Sequence, residues 1–410
     1  MSVFQAANIL FPEDQDLGKW AVIACDQFTS QPEYWEEVKR ISGNSPTTLK
    51  LVLPEVELQG EYKHRIPEIN ANMESYSQKQ IFKEYPDSYI YVERTLLNGS
   101  IRRGVIGVVD LEAYSYEADA QSHIRATEQT VLERIPPRVA IRENASIELP
   151  HIILFCDDVQ DRLLGCCAAL KTASPLLYDF ELMCGGGHIK GWLLCGKAKE
   201  AVDEAFLSYS AACEAKYSGK PAVILAVGDG NHSLATAKAC YEKLKAANPG
   251  VDLTNHPARY ALVEVENIQD EAQAFEPIHR VITDCHPEEL LIALQEAIGS
   301  KEGHQVQWIM QEQKGSLCID PAKGKLAVKT VQDFLDSYLK EHQGVIDYIH
   351  GEDTTESLAK PSGCLGLVLP PFPKEALFES IHAQGPLPRK TFSIGHAQEK
   401  RYYLEARKIK

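Results

Sequence analysis

The chain has 410 residues, which is long for a single core and predicts two or three subdomains. Its 44% hydrophobic and 24% charged residues are the composition of a soluble globular protein. The net charge of -16 argues against nucleic acid as the main partner, because a phosphate backbone repels such a surface, yet a small anionic ligand needs only a local positive pocket.

In chain order, Trp20 to Cys25 reads as a short buried strand that empties into Asp26-Gln27-Phe28-Thr29-Ser30, and Pro32 opens a helix. Gln78 to Tyr85 is polar with helical spacing. Ile90 to Thr95 and Gly104 to Asp110 read as strands joined through Asn98-Gly99. A basic stretch follows, with Arg125, Arg134, Arg138 and Arg142, and then an apolar strand from His151 to Phe155 that ends at Asp157-Asp158. Asp161 to Ala173 predicts a helix stopped before Pro175. Gly185-Gly186-Gly187-His188 is a turn before another strand, and Ala198 to Tyr217 is helical by the spacing of Val202, Ala205, Phe206 and Tyr209.

Ala222 to Val227 is a continuous apolar run, as in a strand buried on both faces. Leu234, Ala237, Tyr241 and Leu244 then recur at helical spacing. Further on come a strand from Arg259, a helix from Pro287 to Ile298, short strands between Val306 and Ile319 and a helix from Val331 to Leu339. Cys364 to Leu369 and Arg401 to Lys408 close the pattern as strands. Asn44 to Pro54 and Gly344 to Ser362 read as loops. Interleaved strands and helices with some strand pairs predict an α/β or α+β protein, with mixed sheets layered with helices. Three regions are expected: residues 1–150, an N-terminal α/β region; 151–300, a central region; and 301–410, a C-terminal α+β region closing the site.

Eleven cysteines, an odd number with no Cys-x-x-Cys pair, read as reduced thiols of a cytoplasmic protein rather than a secreted disulfide framework. The first residues lack the pattern of a signal peptide, and no apolar run nears the roughly 18 residues of a membrane span.

The densest polar cluster stands between the run ending at Val227 and the helix that follows: Gly228, Asp229, Gly230, Asn231, His232 and Ser233. Backbone N–H groups at a helix start have no partners within the helix, and the dipole there favours anions. Gly228 and Gly230 let the backbone bend and approach a ligand. His232 is suited to donating to a phosphate or moving a proton, and Asp229 to orienting it, acting as base or binding a metal. The plainer reading is a capped turn, with Asn231 or Ser233 as cap. The nucleotide-binding patterns Gly-x-x-x-x-Gly-Lys-Ser/Thr and Gly-x-Gly-x-x-Gly are absent.

Other candidate ligand groups are Asp26, Gln27 and Thr29 at the end of the first strand; Arg125 and Arg138; His279 and Arg280; and Arg389, Lys390 and Thr391. Asp26, Asp157 and Asp229 are oxygen donors of the kind Mg²⁺ takes beside a phosphate, although no dedicated metal-ligand spacing occurs on one element.

The stretch VGDGNHSLATAK resembles a bacterial and archaeal family known as domain of unknown function 1015. So do AVIACDQFTSQPEYW, RATEQTVLERIPPRVAIRENA, ARYALVEVENIQDEAQAFEPIHRV and LPRKTFSIGHAQEKRYYLEARK, so the likeness runs from Trp20 to Arg407. In many relatives the turn reads Asp-Gly-His-His-Arg, which is similar to a strand–turn–helix motif of the ParB/sulfiredoxin-like free-serine kinases. The resemblance carries onto Asp229, Gly230 and His232, while Asn231 and Ser233 replace a histidine and an arginine.

It implies a nucleotide-binding unit and nucleotide-dependent phosphoryl transfer to an amino-acid hydroxyl, with ADP or ATP and Mg²⁺ as cofactors. The catalytic residues would be Asp229, His232 and Asp26. Other functions open at this point are a non-catalytic regulator that binds a nucleotide or an amino acid, and a phosphomonoester hydrolase. The expected partner is a small anionic metabolite or nucleotide, with no nucleic acid and no membrane; the oligomeric state is left open.

Overall fold

The strand Tyr260–Asn267 shows how the chain divides its polarity. Successive residues face opposite ways. Ala261, Val263 and Val265 join one hydrophobic core, and Leu262 joins another. Glu264 and Glu266 share the face of Leu262, yet both are buried, at 6% and 0% exposure. A strand buried on both faces is the mark of a central strand in a layered protein.

The computed structural model describes residues 2–59, 62–117, 119–217, 219, 221–324 and 326–410, with the side chains of Gln59 and Arg134 outside that description. The chain forms two compact units. The larger holds the chain as far as Gln273 together with Ile381–Gly385 and His396–Lys410. Among the described residues its main sheet has 11 strands. The order across it is Leu176–Glu181, His188–Leu194, Phe82–Thr95, Ile101–Asp110, Tyr260–Asn267, Ile153–Cys156, Leu225–Asp229, Ile124–Ala126 and Tyr114–Ser115. Phe4–Gln5 and Ala7–Pro12 pair off this path. The pairings are antiparallel from Leu176–Glu181 to Tyr260–Asn267 and partly parallel beyond it, so the sheet is mixed and the protein is of the mixed α/β kind that the sequence predicts.

One face of this sheet is covered by the helices Arg162–Leu170, Lys197–Lys216 and Asn231–Ala247, through Leu163, Phe206, Leu234 and Tyr241. The other is covered by Trp20, Trp35, Val38, Ile69 and Met73 and by the C-terminal segment through Tyr402, Tyr403 and Leu404. The smaller unit, Ala274–Ser380 with Pro386–Gly395, has a seven-stranded antiparallel sheet with Leu365–Val368 and Phe275–Thr283 at its centre.

Several local expectations change. Gln78–Tyr85 is not a helix: the helix Arg65–Gln78 ends there, and Phe82 opens a 14-residue strand whose outer half is half-exposed. With little to bury, that half shows no alternation. Trp20 ends a short helix, and only Val22–Ile23 is strand. The stretch from Gly344 is not a loop: Val345–His350 is an edge strand on Phe275–Thr283, and Glu352–Ala359 is a helix. An edge strand exposes one row of residues, so its apolar pattern is faint. Arg401 to Lys408 splits into Tyr402–Tyr403 and Arg407–Lys408.

The C-terminal segment lies in the larger unit through buried arginines. Arg401 pairs with Glu264 and with Glu405, the latter at 2.7 Å. Arg407 pairs with Glu148 at 2.7 Å, and Arg142 meets the same carboxylate at 2.6 Å. Arg94, 3% exposed, donates to the backbone carbonyls of Gly186, Gln398, Glu399 and Lys400.

Glu266 sits beside this group, 3.1 Å from Arg102. Burial pushes its carboxyl up to about 7, against the pull of Arg102 and with the help of Glu264. An unfolded chain loses this proton at a lower pH, so the group's contribution to stability is whole below about pH 4.5 and declines as the pH rises through about 7. Glu266→Gln is expected to flatten that decline. Guanidinium chloride midpoints of the wild type should drop more between about pH 5 and about pH 8 than those of the variant, and parallel profiles would show that Glu266 does not titrate there.

Candidate functional site

The strand Leu225–Asp229 runs antiparallel to Ile153–Cys156, with Asp229 opposite Ile153. The start of one strand therefore meets the end of the other. His151, two residues before Ile153, is delivered to the Asp229 turn. Asp157 and Asp158, just past Cys156, lie at the opposite edge, where they hold Lys216 and Arg162. A metal site joining Asp26, Asp157 and Asp229 is therefore not formed. Among the described residues, no three histidine, cysteine or acidic side chains are placed to hold an ion.

The turn is shaped by glycine. A Cβ on Gly228 would stand 2.6 Å from the Phe155 ring. Gly230 has φ 77°, and its Cβ would meet Ile152 Cα at 3.0 Å. Asp229 folds back so that its Oδ1 accepts the Gly230 N–H at 2.9 Å. The helix Asn231–Ala247 starts with Gly230 at its N-cap, a residue with no side chain to cap it, and the buried Oδ1 of Asn231 has no hydrogen-bond partner. The start of this 17-residue helix thus presents the positive end of its dipole without a cap.

His151, 3% exposed, is the centre of the polar wall. Its Nε2 lies 3.5 Å from Asp26 Oδ2 and 3.5 Å from Ser233 Oγ. Its Nδ1 is 2.8 Å from the Tyr403 hydroxyl, which itself accepts the Cys25 N–H at 3.2 Å. When the ring is charged both its nitrogens donate, Nδ1 to the Tyr403 oxygen and Nε2 towards Asp26.

Burial opposes charge on His151, but Asp26, by charge and hydrogen bond, and Asp229 behind it outweigh burial and raise its pKa. Burial alone would raise Asp26; the charge and hydrogen bond of His151, the Gln27 amide and Lys400 hold it well below the usual carboxylate range. Burial, with Asp26 beside it, pushes the Cys25 thiol up to about 12. Each group of the pair therefore favours the charged form of the other. Lys400 stands 3.5 Å from Asp229 Oδ2, an oxygen that is buried and accepts no hydrogen bond.

The remaining sequence candidates fall into place as follows. Gln27 donates to Asp26 Oδ1 at 3.0 Å, and Thr29 is exposed. His232 turns its ring to the backbone: Nε2 accepts the Val131 N–H at 3.3 Å. Arg138 pairs with Glu55. Arg125 is buried and donates to the carbonyls of Ser122 and Pro221, at the end of its neighbouring strand remote from Asp229.

His279, Arg280, Arg389, Lys390 and Thr391 belong to the smaller unit. There Arg280 is fully buried, bonded to Gln332 at 2.8 Å and lying over the Tyr348 ring at 4.6 Å. His279 accepts the Leu369 N–H at 3.1 Å, Thr391 donates to Pro388 O at 2.7 Å, and Arg389 and Lys390 are exposed.

Three members of the polar wall were not singled out from sequence: His151, Tyr403 and Lys400. A histidine between a proline and an apolar strand was the one available signal. Nothing local marks Tyr403, whose partner lies 252 residues away.

A cleft of about 150 Å³ opens beside His151, Ser233 and Tyr403, between Leu51–Leu53 and the helix Ile135–Arg142. Fold and site together define a two-unit mixed α/β protein with a glycine-bent strand–helix turn faced by a histidine–carboxylate pair. The chain belongs to the family described as "Protein of unknown function (DUF1015)", which it matches over residues 7–338. A comparison with curated proteins finds no match.

Among solved structures the chain is similar to a mutant free serine kinase in complex with AMP, at 12% identity and TM-score 0.39, covering 72% of this chain and 90% of that one. It is also similar to a C-terminally truncated SbnI from Staphylococcus aureus, at 9% identity and TM-score 0.37, covering 71% and 82%. A conserved hypothetical protein from Pyrococcus furiosus matches at 11% identity and TM-score 0.35, covering 72% and 90%. No helix among the described residues is long and apolar enough to cross a membrane.

The pair gives a pH signature. Because His151 is raised, its contribution to stability is whole below about pH 6.5 and declines as the pH rises through the folded value; because Asp26 is lowered, its contribution is whole above about pH 3.8 and declines as the pH falls through the folded value. His151→Gln should therefore lose most, relative to wild type, between about pH 4 and about pH 6.5. Urea midpoints at about pH 5.5 and about pH 9 test this, and a pH-independent gap would mean that the ring packs uncharged. Gly230→Ala should cost about 1–2 kcal/mol from its positive φ alone, and an unchanged thermal midpoint would remove the demand for glycine there.

Proposed function

We propose that this protein transfers a phosphoryl group from ADP or ATP to the hydroxyl of a small amino acid or related hydroxy compound. One observation carries the reading. An uncapped helix start, the His151 imidazolium and Lys400 converge on a turn where a buried carboxylate oxygen, Asp229 Oδ2, accepts no hydrogen bond. Positive groups held in fixed positions are what phosphoryl transfer requires, because the protein has little covalent chemistry to do. In a chain of net charge -16, His151 and Lys400 gathered at one helix start offset Asp26 and Asp229 there.

In this reading the helix N–H groups, Lys400 and His151 hold the phosphates. The acceptor oxygen bonds to the terminal phosphorus as the bridging P–O bond breaks. The hydroxyl proton passes to Asp229, and the nucleotide leaves one phosphate shorter. Asp26 keeps His151 charged and in place. Asp229, whose Oδ2 accepts no hydrogen bond, is also the residue that would hold a Mg²⁺ arriving with the nucleotide, and that ion would offset phosphate charge. The eleven free cysteines suit a reducing, cytoplasmic setting.

Incubation with Mg²⁺, ADP or ATP and a mixture of hydroxy amino acids, followed by ³¹P NMR and mass spectrometry, should yield a phosphorylated acceptor. Asp229→Asn should lower kcat by roughly 10²–10⁴-fold, the range of a lost general base. Nucleotide binding without any transfer would replace this reading by that of a regulator, and release of inorganic phosphate alone by that of a hydrolase.

A further inference from the structure

The cleft beside His151 and Ser233 has a composition the phosphoryl site does not use. Its walls are Leu51, Leu53, Met73, Ile141, Ile147 and Leu149, most of them buried. The polar groups that reach it are already matched to one another. Arg138 meets Glu55, Arg142 meets Glu148, Tyr403 meets His151, and the Thr236 hydroxyl donates to the His232 carbonyl. A guest there gains little from hydrogen bonds and much from leaving water. A nucleobase, with several edge donors and acceptors, would leave them unmatched against such walls. The size is also informative: a volume of about 150 Å³ is roughly what holds a benzene-sized guest, here against apolar walls edged by the Arg138–Glu55 and Arg142–Glu148 pairs. Ser233 and His151 are among the residues that line the cleft, so a body seated in it lies beside the helix start.

We infer that the acceptor carries an apolar body of about six carbon atoms, seated among Leu51, Leu53, Met73 and Ile141, with its hydroxyl at the Ser233–His151 end. The substrate class is a hydroxy compound with an aromatic or branched aliphatic side chain rather than one as small as serine. This rests on the phosphoryl-transfer reading, and its test is arranged so that the two fail differently.

The full chain is compared on L-serine and β-phenylserine as acceptors with ADP or ATP and Mg²⁺. Separately, it is titrated with toluene while the methyl NMR signals of Leu51, Leu53, Met73 and Ile141 are followed. β-Phenylserine should exceed L-serine in kcat/KM by at least about tenfold, since even one methylene in an apolar pocket is worth about ten- to 200-fold. Toluene should shift those methyls and compete with β-phenylserine. Ala145→Phe, which fills the cleft, should reduce the selectivity ratio about tenfold or more, and Met73→Ala, which enlarges it, should move preference toward bulkier acceptors. Should Ala145→Phe not fold, the Met73→Ala ratio decides.

Equal use of the two acceptors, or toluene leaving the methyls unmoved, overturns the inference. If toluene binds while neither compound is bound or phosphorylated, the phosphoryl-transfer reading and the acceptor assignment fall together, and only the cleft's preference for an apolar guest survives.

Discussion

Buried arginine–carboxylate pairing around the C-terminal segment is the constraint on which the candidate site depends. Lys400 and Tyr403 reach the turn at Asp229 and the ring of His151 only because Arg401, Arg407 and Arg94 fasten residues 398–408 to the sheet. Desolvating these charges is costly, and removing one partner of such a pair typically costs about 3–5 kcal/mol because the other charge is left buried and unmatched. The pairs therefore act less as a source of net stability than as a requirement for one arrangement. A segment held only by apolar contacts could slide by a residue; one whose guanidinium groups must each find a carboxylate or a row of carbonyls cannot.

The same logic bears on how a strongly acidic chain gathers cations at the turn. Most of its cations face carboxylates at short range, as Arg138 does Glu55 and Arg103 does Asp161. At the turn the balance differs. Asp26 raises the pKa of His151 against the effect of burial, and the helix start adds partial positive charge that no N-cap side chain screens. Asp26 thus acts through the histidine. Against its burial, the charge and hydrogen bond of that ring, the Gln27 amide and Lys400 hold its carboxyl well below the usual carboxylate range. Asp229 differs from it: its buried Oδ2 accepts no hydrogen bond and faces the Lys400 ammonium at 3.5 Å.

The smaller unit illustrates how residue types alone mislead. The run of Glu276, His279 and Arg280 has the look of a ligand-binding face, yet the strand Phe275–Thr283 buries His279 and Arg280 and satisfies them internally. A guanidinium over a tyrosine ring and bonded to a glutamine and three backbone carbonyls is a core element of that unit.

The sequence by itself determined the mixed α/β character, the strand–turn–helix at Gly228–Ser233 and the glycine demand within it. These are local matters: an apolar run, a change of period from two to 3.6, and backbone bends that only glycine tolerates. It also pointed to Asp26, because a polar turn at the end of an apolar stretch is a local signal too. Only the tertiary structure decided that His151 stands between Asp26 and Ser233, that Asp157 lies at the opposite edge, and that Lys400 and Tyr403 complete the wall. Those facts follow from the antiparallel register of Ile153–Cys156 against Leu225–Asp229 and from the burial of the C-terminal arginines. Strand direction and long-range charge pairing link residues hundreds of positions apart, and no window of sequence contains both partners.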